Sequence, residues 1–90
     1  MKRYYIVFRG NVQGVGFRFF AQKEAQKLNL FGWIRNRPDG TVDMEIDGTE
    51  TLLMNYINEL KTKHPWANVS SADIKEKSIS NPYNEFQIRF

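Results

Sequence analysis

Two kinds of periodicity alternate along this chain, one repeating every second residue and one every three to four. "RYYIVFR" (3–9) is β-branched and aromatic, and predicts a first strand. After a glycine-rich stretch, apolar residues return at Phe17, Ala21, Ala25 and Leu28, the spacing of one helix face, with Asn29 as a C-terminal stop. "FGWIRNR" (31–37) predicts a second strand, and "PDG" (38–40) a turn in which Pro presets φ and Gly is free to take φ > 0. "TVDMEID" (41–47) alternates cleanly: Val42, Met44 and Ile46 point inward, Thr41, Asp43, Glu45 and Asp47 outward. That is the pattern of a strand with one covered face, and it makes the three acids solvated surface. "GTETLLMNYINELKTK" (48–63) predicts a second amphipathic helix, with Leu53, Ile57 and Leu60 on one stripe and Thr49 or Thr51 near its cap. "HPWANV" reads as a connection. "VSSADIKEKSI" (69–79) is assigned to a strand on the weakest pattern in the chain. "NPY" breaks the chain, and "EFQIRF" (85–90) closes it as a strand with Phe86, Ile88 and Phe90 on one face.

The predicted order is β-α-β-β-α-β with a short extra strand. This is an α+β, ferredoxin-like sandwich: a mostly antiparallel sheet with two helices on one face. Ninety residues leave room for one core, so one domain over 1–90 is expected. A hydrophobic content of 41% is enough to build that core. Cysteine is absent, which excludes a disulfide framework, a thiol nucleophile and thiolate-ligated metals. The apolar run in "MKRYYIVFRG" is too short for a secretion signal, and no window approaches the ~18 apolar residues of a membrane span. A soluble, cytoplasmic, monomeric protein is expected. A net charge of +3, with basic residues spread along the chain, permits nucleic acid without demanding it. An RNA-binding sheet would expose aromatics on its central strands, whereas the outward face of "TVDMEID" is acidic; no nucleic-acid partner is expected.

"GNVQGVGFRFF" (10–20) carries three glycines within seven positions, followed by an arginine where the first helix opens. It lacks the Lys-Ser or Lys-Thr of a P-loop and the third glycine of a dinucleotide fingerprint. Glycine loops between strand and helix are common connectors, and that reading stays open. The alternative is an anion site. Backbone N–H groups would point into one concavity at the positive end of a helix. Arg18 stands in the first helical turn, where a cation is unfavourable unless an anion accompanies it.

Asn36 is the second candidate. A strand-end asparagine can simply support a turn. Chain geometry adds a functional reading: a helix of about 11 residues at ~1.5 Å each runs ~17 Å, and Phe31–Asn36 returns a similar distance at ~3.3 Å per residue. Asn36 should therefore come back to the end of the sheet that carries the glycine loop and Arg18. Arg9, Arg35 and Arg37 should lie near the same end and make it positive. His64, a lone histidine before a proline, reads as surface.

"VQGVGFR" (12–18), "GWIRN" (32–36), "DGTV" (39–42) and the C-terminal "FQIRF" together resemble the acylphosphatase family over essentially the whole chain. "KTKHPWANV" (61–69) departs from the family's glycine–proline connection, but lies away from those motifs. The resemblance implies hydrolysis of an acyl phosphate to carboxylate and phosphate. It assigns phosphate binding to the backbone N–H groups of Gln13, Gly14, Val15, Gly16 and Phe17 and to the Arg18 side chain, and positioning of the attacking water to Asn36. A carboxylate leaving group needs no general acid, so no metal or cofactor is implied. The implied partners are a small acyl phosphate and inorganic phosphate, the latter as product and competitive inhibitor. A regulatory or carrier module with the same fold and motif is the rival reading.

Overall fold

The computed structural model describes residues 1–90 and places seven elements: β1 (Lys2–Asn11), α1 (Phe17–Lys27), β2 (Phe31–Asn36), β3 (Val42–Gly48), α2 (Glu50–Thr62), β4 (Asn68–Lys77) and β5 (Phe86–Arg89). They form one five-stranded sheet in the order β4-β1-β3-β2-β5. The β1/β3, β1/β4 and β2/β3 pairs are antiparallel, and the short β5 runs parallel to β2. This is the expected ferredoxin-like α+β fold, with β5 as its extra strand.

Both helices cover one face. α1 packs on β2 and β5, and α2 on β3 and β4. The core between the layers is built from the predicted stripes: Phe17, Ala21 and Ala25 of α1, Leu53, Ile57 and Leu60 of α2, and Val42, Met44 and Ile46 of β3. Tyr56 joins them, fully buried; its hydroxyl donates to the Ala21 carbonyl at 2.7 Å and so ties α2 to α1. Burial holds that phenol neutral, its pKa pushed well up. The α2 cap is Thr49, whose hydroxyl accepts from the Leu52 N–H. In β5, Phe86 is buried and Ile88 half-buried, but Phe90 lies past the strand end and is 96% exposed, so it does not share their packing.

The opposite face corrects the reading of the β3 acids as solvated surface. Asp43 and Asp47 are buried, and Glu45 is half-buried. Register explains it: Arg3 lies opposite Asp47 and Arg35 opposite Asp43. Arg3 grips both Asp47 oxygens, at 2.6 and 2.9 Å, and Arg35 grips both Asp43 oxygens, at 2.9 and 3.1 Å. Tyr5 donates to Asp43 at 2.7 Å. The chain between β4 and β5 folds over this face, where the Tyr83 ring stacks on the Arg3 guanidinium at 4.2 Å. Hydrogen bonding to Asp47 raises the Arg3 pKa further, so the guanidinium stays charged.

Candidate active site

The end of β1 delivers the chain into the glycine loop with a change of direction. The β1/β4 register shifts between Arg9 and Gly10, and Gly10 has φ 121°. A Cβ there would come within 2.1 Å of the Asn68 carbonyl oxygen, so only glycine lets the two strands approach. Val12 and Phe17 are buried on either side of the loop, and Phe17 meets Phe8 edge-to-face at 5.2 Å. Between these anchors the chain turns through Gly14 and Gly16, both with φ 76°. Two left-handed residues in so short a span suit glycine and penalise any other L-residue.

Gly16 caps α1 with no side-chain acceptor, and the first turn holds no acidic residue. The backbone N–H groups of Gln13–Gly16 donate to no group within the chain, and the first N–H groups of a helix, Phe17's included, have no intrahelical acceptor. The loop is therefore a run of unspent donors. Its position is fixed from the side: Gln13 Nε2 donates to the carbonyls of Arg37 and Thr41, each at 2.8 Å. Those residues bracket the β2–β3 turn, itself closed by Asp39 accepting from the Thr41 N–H and hydroxyl at 3.0 and 2.6 Å. These two bonds hold the Asp39 carboxyl below its ordinary pKa.

A cavity of about 90 Å³ opens here, lined by Val12, Gly14, Gly16, Phe17, Arg18, Phe19 and Asn36. The folded chain thus brings Arg18 and Asn36 to the loop. Asn36 Oδ1 is buried and has no hydrogen-bond partner, the one side-chain polar atom in the protein in that condition. An unpaired buried acceptor costs about 1–3 kcal/mol. The Arg18 guanidinium donates to the Arg89 carbonyl at a long 3.4 Å and lies 4.8 Å from the centre of the Phe90 ring. It has no carboxylate partner, so its charge and most of its donors remain available.

The other basic residues contribute less than expected. Arg35 is bound to Asp43 and Arg9 to Asp73 at 3.1 Å; of the three, only Arg37 lacks a carboxylate partner. His64 is more than surface. It is half-buried, its ring edge-on to Phe20 at 5.1 Å, and its Nδ1 accepts from the N–H groups of Trp66 and Ala67. It closes its own connector and packs behind the loop. Three features were not legible beforehand: the fastening role of the Gln13 side chain, the stacking of Phe90 on Arg18, and Phe19 at the cavity mouth. Only Phe19 left a signal, as an aromatic off the apolar stripe of its helix.

Fold and cavity together define a ferredoxin-like domain with a small hollow between its glycine loop and its second strand. Comparison with known proteins narrows the class. The Acylphosphatase family model matches residues 4–88. An acylphosphatase of Geobacillus kaustophilus (strain HTA426) is 38% identical over 90 residues, covering 100% of this chain and 96% of its own. The crystal structure of acylphosphatase from Bacillus subtilis superposes with a TM-score of 0.94 at 37% identity, over 100% of both chains. That of an acylphosphatase from Coxiella burnetii gives 0.90 at 31%, over 98% of this chain and 92% of the other. The chain belongs to the acylphosphatase family. It is accordingly a hydrolase acting on the mixed anhydride of small-molecule acyl phosphates. None of its helices is long and apolar enough to cross a membrane.

Proposed function

We propose that the backbone N–H groups of Gln13–Phe17 and the Arg18 guanidinium bind the phosphoryl group of the acyl phosphate, and that Asn36 positions the water that attacks it. The observation that carries this reading is the unpartnered Asn36 Oδ1 in the cavity it shares with Arg18 and the loop. A water donating one hydrogen to Oδ1 is held with a lone pair free to meet phosphorus in line with the leaving carboxylate. As the new P–O bond forms and the carboxylate–phosphorus bond breaks, charge spreads over the equatorial oxygens, where the loop donors and Arg18 meet it. Asn36 cannot hold the water's proton, so that proton passes to a phosphate oxygen. The carboxylate leaves as a weak base and requires no acid, so the reaction runs without metal or cofactor. Inorganic phosphate, sharing the same contacts, competes with substrate. A monomer in the cytoplasm completes the reading.

The test is hydrolysis of benzoyl phosphate by purified protein in buffer containing a chelator. Turnover should persist there, and Arg18→Ala should lower kcat/KM by about 1,000-fold. Its fold stability should stay the same or rise by a few tenths of a kcal/mol, because a cation leaves the positive end of α1. Activity abolished by the chelator, or retained in Arg18→Ala, would overturn the assignment.

A further inference from the structure

We infer that Phe19 forms the subsite for the acyl half of the substrate and selects acyl phosphates whose acyl group is aromatic; the inference rests on the phosphoryl site proposed above. A cavity of about 90 Å³ is far below the ~300 Å³ or more of pockets that enclose a whole organic ligand. It accommodates a phosphoryl group and the attacking water. The acyl group therefore projects through the mouth, and the mouth's chemistry decides which acyl groups it meets.

That mouth carries Phe19, which lines the cavity while 60% exposed. Folding does not account for it. Phe19 lies two residues beyond Phe17, about 200° around the helix from the buried stripe of Phe17, Ala21 and Ala25. Phenylalanine is also a poorer helix former than the alanine, lysine or glutamate an exposed position usually takes. Scattered exposed aromatics are ordinary; this one stands in the first turn, where side chains lean toward the helix N-terminus and so toward the loop. Phe90, 96% exposed with its ring on the Arg18 guanidinium, adds a second apolar surface next to the same arginine. An aromatic acyl group leaving this mouth meets another ring, with the offset or edge-on contact such pairs prefer.

Binding of two non-hydrolysable analogues separates this inference from the hydrolytic reading. Phenacylphosphonate and acetonylphosphonate replace the bridging oxygen of benzoyl and acetyl phosphate with methylene, and calorimetry gives their affinities without turnover. Wild-type protein should bind the phenyl analogue about 10-fold more tightly. Phe19→Ala should reduce that preference to about 2-fold or less while leaving the affinity for inorganic phosphate unchanged, and Phe19→Tyr should restore it. Equal affinities in the wild type, a preference surviving in Phe19→Ala, or a parallel loss of phosphate affinity would overturn the subsite. The expected pattern without benzoyl phosphate turnover would uphold the subsite and sink the hydrolytic reading. No binding of phosphate or either phosphonate by folded protein would sink both.

Discussion

The helix-free face of the sheet and the glycine loop solve opposite problems with the same kinds of groups. On the face, Asp47 and Asp43 are buried and each is gripped at both oxygens by a cross-strand arginine. At the loop, a run of N–H donors, an arginine and a buried amide oxygen stand close together with almost no internal partners. Satisfied polar groups hold a fold in one arrangement. Unsatisfied ones cost stability, and they persist where a ligand supplies the missing partner. The difference separates residues that hold the sheet from residues left with unfilled donors and acceptors, which are the ones we propose to meet a phosphoryl group.

Substitutions on the two sides should therefore have opposite signatures. The largest effect on stability is expected from Arg3→Ala, which leaves Asp47 buried without its partner and should cost about 3–5 kcal/mol in urea unfolding. Replacing both partners with apolar residues should recover most of that, and activity should survive wherever the variant is folded. A loss below about 1 kcal/mol would mean that water reaches Asp47, and the contrast between the two regions would weaken.

Asn36→Ala should behave in the reverse manner. It should lower kcat about 100-fold, leave inhibition by phosphate within about 2-fold, and raise stability by up to about 1–3 kcal/mol, because it removes a buried acceptor that had no partner. A raised KM with unchanged kcat would show that Asn36 binds substrate instead of placing water.

The smallest effect lies between the two regions, at the turn to which Gln13 fastens the loop. The Asp39 carboxyl, hydrogen-bonded by Thr41, titrates below its ordinary value. Its contribution is thus present above the unfolded-state pKa and lost as pH falls through the folded one. Asp39→Asn should lower Tm slightly at neutral pH, with the difference from wild type shrinking as pH falls below the ordinary aspartate range in thermal melts across pH. A deficit independent of pH would mean that the turn depends on side-chain shape and not on charge.

Periodicity was a sound guide to the elements and to the helix-covered core because both depend on which side of a strand or helix an apolar residue occupies. It failed on the acids of β3. Alternation assigns a side chain to a face but says nothing about what covers that face. Arg3 and Asp47 are 44 residues apart and meet only through the β1/β3 register. Tyr83 reaches the same face from a segment with no periodicity at all. Phe90 misled for a related reason: the alternation of "EFQIRF" continues, but the strand ends at Arg89.

The sequence by itself determined the order of elements, the α+β class, the glycine turn and the family, because these rest on local backbone preference and on contiguous motifs. Chain geometry even returned Asn36 toward the loop, since a helix and the strand after it retrace similar lengths. Only the tertiary structure decided that Asn36 Oδ1 has no partner, that Gln13 pins the loop, that Arg9 and Arg35 are paired with aspartates, and that Phe19 lines the cavity beside Arg18 and Asn36. Those facts concern which groups remain unpaired, and pairing is settled by contacts between residues far apart in the chain.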